Sequence, residues 1–105
     1  MASNRIGRIN EEIQRELSDL IRGLKDPRVQ TMLSITRVDT TSDLRYAKVH
    51  ISVLEESREN EAMKGLRSAG GWLRRELGQK LQLRYTPELV FELDDSLKYG
   101  AHMYD

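Results

Sequence analysis

The chain has 105 residues, with 17 basic and 17 acidic side chains, zero formal net charge and no cysteine; it is 38% hydrophobic and 32% charged. One small domain, residues 1–105, is all this builds, and it buries only about two-thirds of its unfolded surface, which leaves function to the exterior rather than to an enclosed catalytic cavity. Disulfides, thiolate zinc sites and iron–sulfur clusters are excluded, and zero net charge argues against a non-specific nucleic-acid coat.

The first residues, MASNRIGRINEEIQRE, are charged every few positions and hold no apolar run long enough for a signal segment or a membrane span, so a cytoplasmic protein is expected. Ile6, Ile9, Ile13, Leu17, Leu20 and Leu24 recur at spacings of 3, 4, 4, 3 and 4, one face of a helix. It is predicted to start near Ser3 or Asn4, either of which suits a cap, and to end near Lys25, because Pro27 disfavours a helical Asp26. LSITRVD is β-rich, and after Thr40-Thr41-Ser42-Asp43 the stretch RYAKVHISV alternates. Ala47, Val49, Ile51 and Val53 fall on one side, and Tyr46, Lys48, His50 and Ser52 on the other, which predicts a hairpin with one buried face. Leu33 and Ile35 are in phase and Val38 is not, which predicts a bulge near Arg37.

From about Ser57 to Lys80, Met63, Leu66, Ala69, Leu73 and Leu77 return to helical spacing, interrupted by Ala69-Gly70-Gly71. Two adjacent glycines cost a helix about 1 kcal/mol each relative to alanine, so a kink or a meeting of two helices is expected between Ser68 and Trp72. Tyr85-Thr86-Pro87 stops the helix and LVFEL reads as a third strand. The tail DDSLKYGAHMYD is turn-like.

Zero net charge conceals a segregation. Residues 61–86 carry six basic groups (Lys64, Arg67, Arg74, Arg75, Lys80, Arg84) against two acidic ones, whereas residues 87–105 carry Lys98 alone against five acids. That polarity fits a molecule with one face for an anionic partner. On a helical wheel Lys64, Arg67, Gly71, Arg74 and Arg75 share an arc of roughly 100°, opposite Leu66, Leu73 and Leu77. One reading is a phosphate-binding ridge, in which substitutions leave stability nearly unchanged; the other is a solvated helix face. Trp72 lies between the faces, expected to cap the edge of the core, with stacking on an unpaired base as the alternative. On the first helix, Arg15 is expected to pair with Glu11, leaving Arg5 and Arg8 freer.

Enzymatic readings find little support. His50 and His102 are far apart in sequence, no HExxH, Walker A or GxSxG spacing occurs, and Asp94-Asp95, adjacent on a strand, point to opposite faces and make a poor metal site.

The order α-β-β-α-α-β, with glycine at the junction of the later helices, matches a type II KH-like α+β domain: a three-stranded sheet with helices packed on one face. Several stretches resemble the bacterial ribosome-binding factor A family: RINEEIQREL, Lys25-Asp26-Pro27-Arg28, Val38-Asp39 with Tyr46-Ala47-Lys48-Val49, Ser68-Ala69-Gly70-Gly71 before Leu73-Arg74-Arg75-Glu76-Leu77, and Leu83-Arg84-Tyr85-Thr86-Pro87-Glu88-Leu89. The chain has no GxxG, the backbone clamp of ordinary KH domains, and carries Ala69-Gly70-Gly71, similar to the family's Ala-x-Gly interruption. The resemblance implies a non-enzymatic assembly factor without cofactor, metal or small-molecule substrate. It would be monomeric when free and bind the small (30S) ribosomal subunit or its precursor, assisting late maturation of 16S rRNA, particularly in the cold. The candidate RNA contacts are Arg5, Arg8, Lys64, Arg67, Ala69, Gly70, Gly71, Arg74, Arg75, Lys80 and Arg84. Family members often continue with a further helix or tail, whose contacts are expected to be missing from a chain ending at Asp105. The rival class is a protein-interaction module that docks a partner through a sheet edge or the first helix.

Overall fold

The computed structural model describes residues 2–94, with side chains from residue 5. Helix α1 spans Ala2–Arg22, so Ser3 and Asn4 lie inside it rather than capping it, and it stops three residues short of Lys25. Gly23 and Leu24 close its last turn with bonds of 3.1 Å to the carbonyls of Leu20 and Ile21. Pro27 then opens a single 3-10 turn, Pro27–Val29, whose first N–H, that of Arg28, donates to the Asp26 side chain. The turn lies tight on the next helix: a Cβ added at Gly65 would come within 2.8 Å of Val29 Cγ1, so this contact requires glycine.

Strands β1 (Leu33–Thr40) and β2 (Tyr46–Val53) form the predicted antiparallel hairpin. The register shifts between Ile35 and Arg37, which places Thr36 and Arg37 opposite His50 and returns Val38 to the buried side; Ile35, Val38 and Thr40 all face inward. Ala47, Val49 and Ile51 are fully buried. Strand β3 (Glu88–Leu93) joins β2 in parallel, giving the order β1-β2-β3. A parallel pair needs a long crossover, and the two helices between β2 and β3 supply it, so they cover the same face as α1 and leave Tyr46 and Lys48 on the solvent side.

That crossover is α2 (Glu59–Ser68) and α3 (Gly70–Leu81). The break falls on one residue, Ala69, at φ −85° and ψ −1°. Its N–H closes α2 on the Gly65 carbonyl at 3.1 Å, and its carbonyl opens α3 by accepting from Leu73 at 2.8 Å. The break thus falls within the predicted Ala69-Gly70-Gly71 interruption, with Gly70 and Gly71 as the first two residues of α3. Leu66, Leu73 and Leu77 are fully buried on both sides of the break. Truncating such a leucine costs about 2–5 kcal/mol, so packing holds the angle.

Both outer strands expose unpaired backbone groups, and helix side chains answer them. On β1, Gln14 Nε2 donates to the Ile35 carbonyl at 3.0 Å and Asn10 Oδ1 accepts from Thr40 N–H at 2.9 Å. On β3, the N–H groups of Glu88 and Asp94 donate to the β2 side, which turns the odd-numbered backbone outward. Arg67 Nη2 donates to the outward Phe91 carbonyl at 3.2 Å. Just ahead of the strand, Arg74 Nε and Nη2 both donate to the Thr86 carbonyl, at 3.1 and 2.9 Å. Neither edge is a free template for another strand along these positions.

Candidate nucleic-acid interface

The kink divides the predicted basic ridge. Lys64 and Arg67 line a depression of about 530 Å³ between α2 and β3, together with Asn60, Met63, Glu92 and Leu93. Glu92 lies 3.6 Å from Lys48 on the outer face. Gly71, Arg74, Arg75, Arg84, Tyr85 and Thr86 line a second, more open depression of about 380 Å³ between α3 and the loop before β3. Arg84 was not on the predicted arc; the return of the chain beneath α3 brings it there. Lys80 is exposed farther along α3, near its C-terminus.

The candidate cations are not equivalent. Arg75 is exposed and makes no hydrogen bond or ion pair among the described residues, whereas Arg67 and Arg74 already hold the β3 edge. The expectation that their substitution leaves stability untouched is therefore corrected for those two, since removing either leaves a backbone carbonyl without its donor. Each keeps further N–H groups for a phosphate, because a guanidinium carries five. The Arg84 guanidinium lies 5.8 Å from the Tyr85 ring centroid, over its face.

Packing fixes the loop that carries Arg84 and Tyr85. Gly78 of α3 sits against Thr86 so closely that a Cβ there would collide with Thr86 Oγ1, and Pro87 is fully buried. Gly71 is the opposite case: a Cβ added to it meets nothing within 4 Å. Gly70 is partly covered, with Phe91 Cε2 at 4.0 Å from the same hypothetical atom.

Arg5 and Arg8 stand apart from this face, on the first turns of α1. Arg8 reaches Glu12 at 3.8 Å, while Arg15, expected to pair with Glu11, forms no ion pair among the described residues. Arg22 pairs with Asp19 on the same helix at 2.9 Å. Trp72 leaves 43% of its surface exposed and lies outside the buried cluster.

Tyr85 lines the second depression and was not among the predicted residues. The available signal was an aromatic between Arg84 and Thr86-Pro87, but its exposure depends on how the loop returns to the sheet.

Elsewhere, the Asp26 carboxylate takes a two-pronged grip from Arg28, with Nη2 to Oδ2 at 2.6 Å and Nε to Oδ1 at 3.1 Å. That side-chain bond first, then the Arg28 N–H, holds the carboxyl below its ordinary pKa. Asp43 is lowered likewise by the Thr41 hydroxyl and the Arg45 N–H in the hairpin turn. Asp94, half of the doubted metal pair, accepts from Thr36 Oγ1, while Asp95 and His102 lie outside the described residues. Among the described residues no three His, Cys, Asp or Glu side chains converge as a metal site, and no helix is long and apolar enough to cross a membrane.

A mixed three-stranded sheet, helices on one face and a kinked crossover ending beside an edge strand define an α+β domain of the KH-like class. Within it, residues 5–105 match the family model for ribosome-binding factor A, and the chain belongs to that family. It is 56% identical over 102 residues to the ribosome-binding factor A of Acetivibrio thermocellus, covering 94% of this chain and 82% of that protein. The crystal structure of ribosome-binding factor A from Thermus thermophilus superposes with a TM-score of 0.76 at 25% identity, over 84% of this chain and 94% of that one. A Thermus thermophilus ribosome binding factor A fitted into the cryo-EM map of a 30S complex gives a TM-score of 0.70 at 26% identity, over 82% of this chain and 91% of that one.

Proposed function

We propose that this chain binds the small (30S) ribosomal subunit or its precursor through 16S rRNA and acts in the cytoplasm by binding alone. It favours one RNA conformer during late maturation and then leaves, a task that weighs most in the cold, where misfolded RNA escapes slowly. A ligand with higher affinity for one of two conformers shifts the population towards it without bond chemistry. The contact set is Lys64, Arg67, the Ala69-Gly70-Gly71 junction, Arg74, Arg75, Lys80 and Arg84, with Arg5 and Arg8 as outliers.

The observation that carries the reading is the depression where Arg74, Arg75 and Arg84 converge on a glycine with open space before it. Guanidinium groups pair bidentately with phosphate, and a bare backbone lets another backbone approach. The family membership and the similar Thermus protein in a 30S complex support the choice of partner. A protein-docking module is less favoured, because helix side chains engage part of the outward backbone at both sheet edges.

Co-sedimentation with isolated small subunits tests this. Reversing Arg74 and Arg75 together to glutamate should nearly abolish binding at physiological salt, while Arg45→Glu, on the hairpin turn, should change it little. Equal binding by the two would contradict the assignment of this face.

A further inference from the structure

We propose that Tyr85 is a stacking platform for one unpaired nucleotide, whose phosphate lies on Arg75 in the adjoining depression. The inference rests on the RNA-binding reading above and sharpens it to single-stranded RNA at this point.

Tyr85 is 70% exposed, against 46% for Tyr46 and 43% for Trp72. Of these three rings it offers the most surface to a ligand. Its surroundings are rigid: Arg74 grips the Thr86 carbonyl through two nitrogens, Gly78 packs on Thr86, and Pro87 is buried. The ring is therefore presented on a fixed loop, and little ordering cost remains when a ligand arrives. The Arg84 guanidinium stands over the ring, leaving the other face for a base.

Gly71 gives an independent indication. Packing does not demand glycine there, since a Cβ would meet nothing within 4 Å. Gly71 lines the same depression as Arg75 and Tyr85, and its bare backbone adds no side chain to it.

An exposed π-face accepts any base, but only a base whose own face is free, so paired bases are excluded. A cation beside it binds the phosphate of the same or the adjacent nucleotide.

The test is fluorescence anisotropy with a labelled single-stranded oligoadenylate and an RNA duplex of equal length, using the full chain. Tyr85→Leu should weaken single-strand binding roughly 5- to 100-fold and leave duplex binding unchanged. Tyr85→Phe and Tyr85→Trp, which keep a stacking face, should bind the single strand at least as well as the parent, and they carry the test should the leucine variant unfold. Arg75→Glu should weaken both RNAs. Wild-type affinity in Tyr85→Leu alongside loss in Arg75→Glu overturns the stacking role and leaves the RNA reading standing. Equal weakening of duplex and single strand by Tyr85→Leu, or loss of single-strand binding in Tyr85→Phe, also overturns it. No binding of either RNA by the parent, with subunit binding indifferent to Arg75→Glu, overturns both readings.

Discussion

At the β1 edge of the sheet two outward backbone groups are answered by Asn10 and Gln14, neutral amides of α1; on β3 and just ahead of it the Phe91 and Thr86 carbonyls are answered by Arg67 and Arg74, cations of the kinked crossover. Both pairs blunt an edge strand, but they leave different surfaces behind. An amide that has made its bond offers little to an anion. An arginine that has spent one or two of its five donors still offers charge and further N–H groups. Beside Arg67 and Arg74 stand Arg75 and Arg84, which bind no backbone carbonyl among the described residues. The β3 edge is thus at once a structural seam and a cationic surface, whereas the β1 edge is a seam only.

The sharpest way to break this comparison is to reverse charges that hold no backbone. Arg75→Glu combined with Arg84→Glu should lower small-subunit affinity by about two orders of magnitude, since each lost phosphate contact forfeits close to a tenfold counterion effect near 0.1 M salt. The melting free energy should move by less than about 0.5 kcal/mol for each exposed charge. Unaltered affinity would make the two edges equivalent.

The converse variant is Gln14→Ala, which leaves the Ile35 carbonyl without a donor. Denaturant unfolding should show a loss of about 1–3 kcal/mol, with subunit affinity of the folded protein unchanged. Arg74→Ala belongs between these cases and should fail in both respects. It should lose about 1 kcal/mol of stability from the Thr86 contacts and part of its subunit affinity, where Arg75→Ala loses affinity alone. A purely solvated Arg74 would leave stability untouched.

The smallest effect concerns the turn behind α2, remote from either edge. Because Arg28 lowers the Asp26 pKa in the folded state, this carboxylate adds stability above its unfolded value of about 3.9, and the contribution disappears as pH falls through the lower folded value. Asp26→Asn should therefore melt earlier than the parent at neutral pH, with the gap closing below about pH 4. Subunit binding should not change. A gap that persists into acid would assign the effect to packing rather than to charge.

Periodicity alone exposed most of the fold. The α1 stripe, the alternation in β2, the out-of-phase Val38 and the leucines around the kink are short-range patterns imposed by one buried face, and each found its counterpart. Boundaries were less legible, because α1 ends where Gly23 and Leu24 close its last turn, ahead of Pro27. The break was legible as the stretch Ala69-Gly70-Gly71, but not which of the three leaves the helix, and it is Ala69. At the candidate site the cations were readable as composition, but their division was not. Whether an arginine holds a carbonyl or stands free depends on what the chain brings opposite it, and Phe91 and Thr86 lie 24 and 12 residues from Arg67 and Arg74. Tyr85 was hidden for the same reason.

The most direct test of the difference between the edges is the slope of log subunit affinity against log salt for the parent, Arg75→Ala and Gln14→Ala. Arg75→Ala should give a line shallower by about one unit, and Gln14→Ala a line parallel to the parent's. An Arg75→Ala line parallel to the parent's would contradict the account, because a cation that neutralises no phosphate is solvated surface.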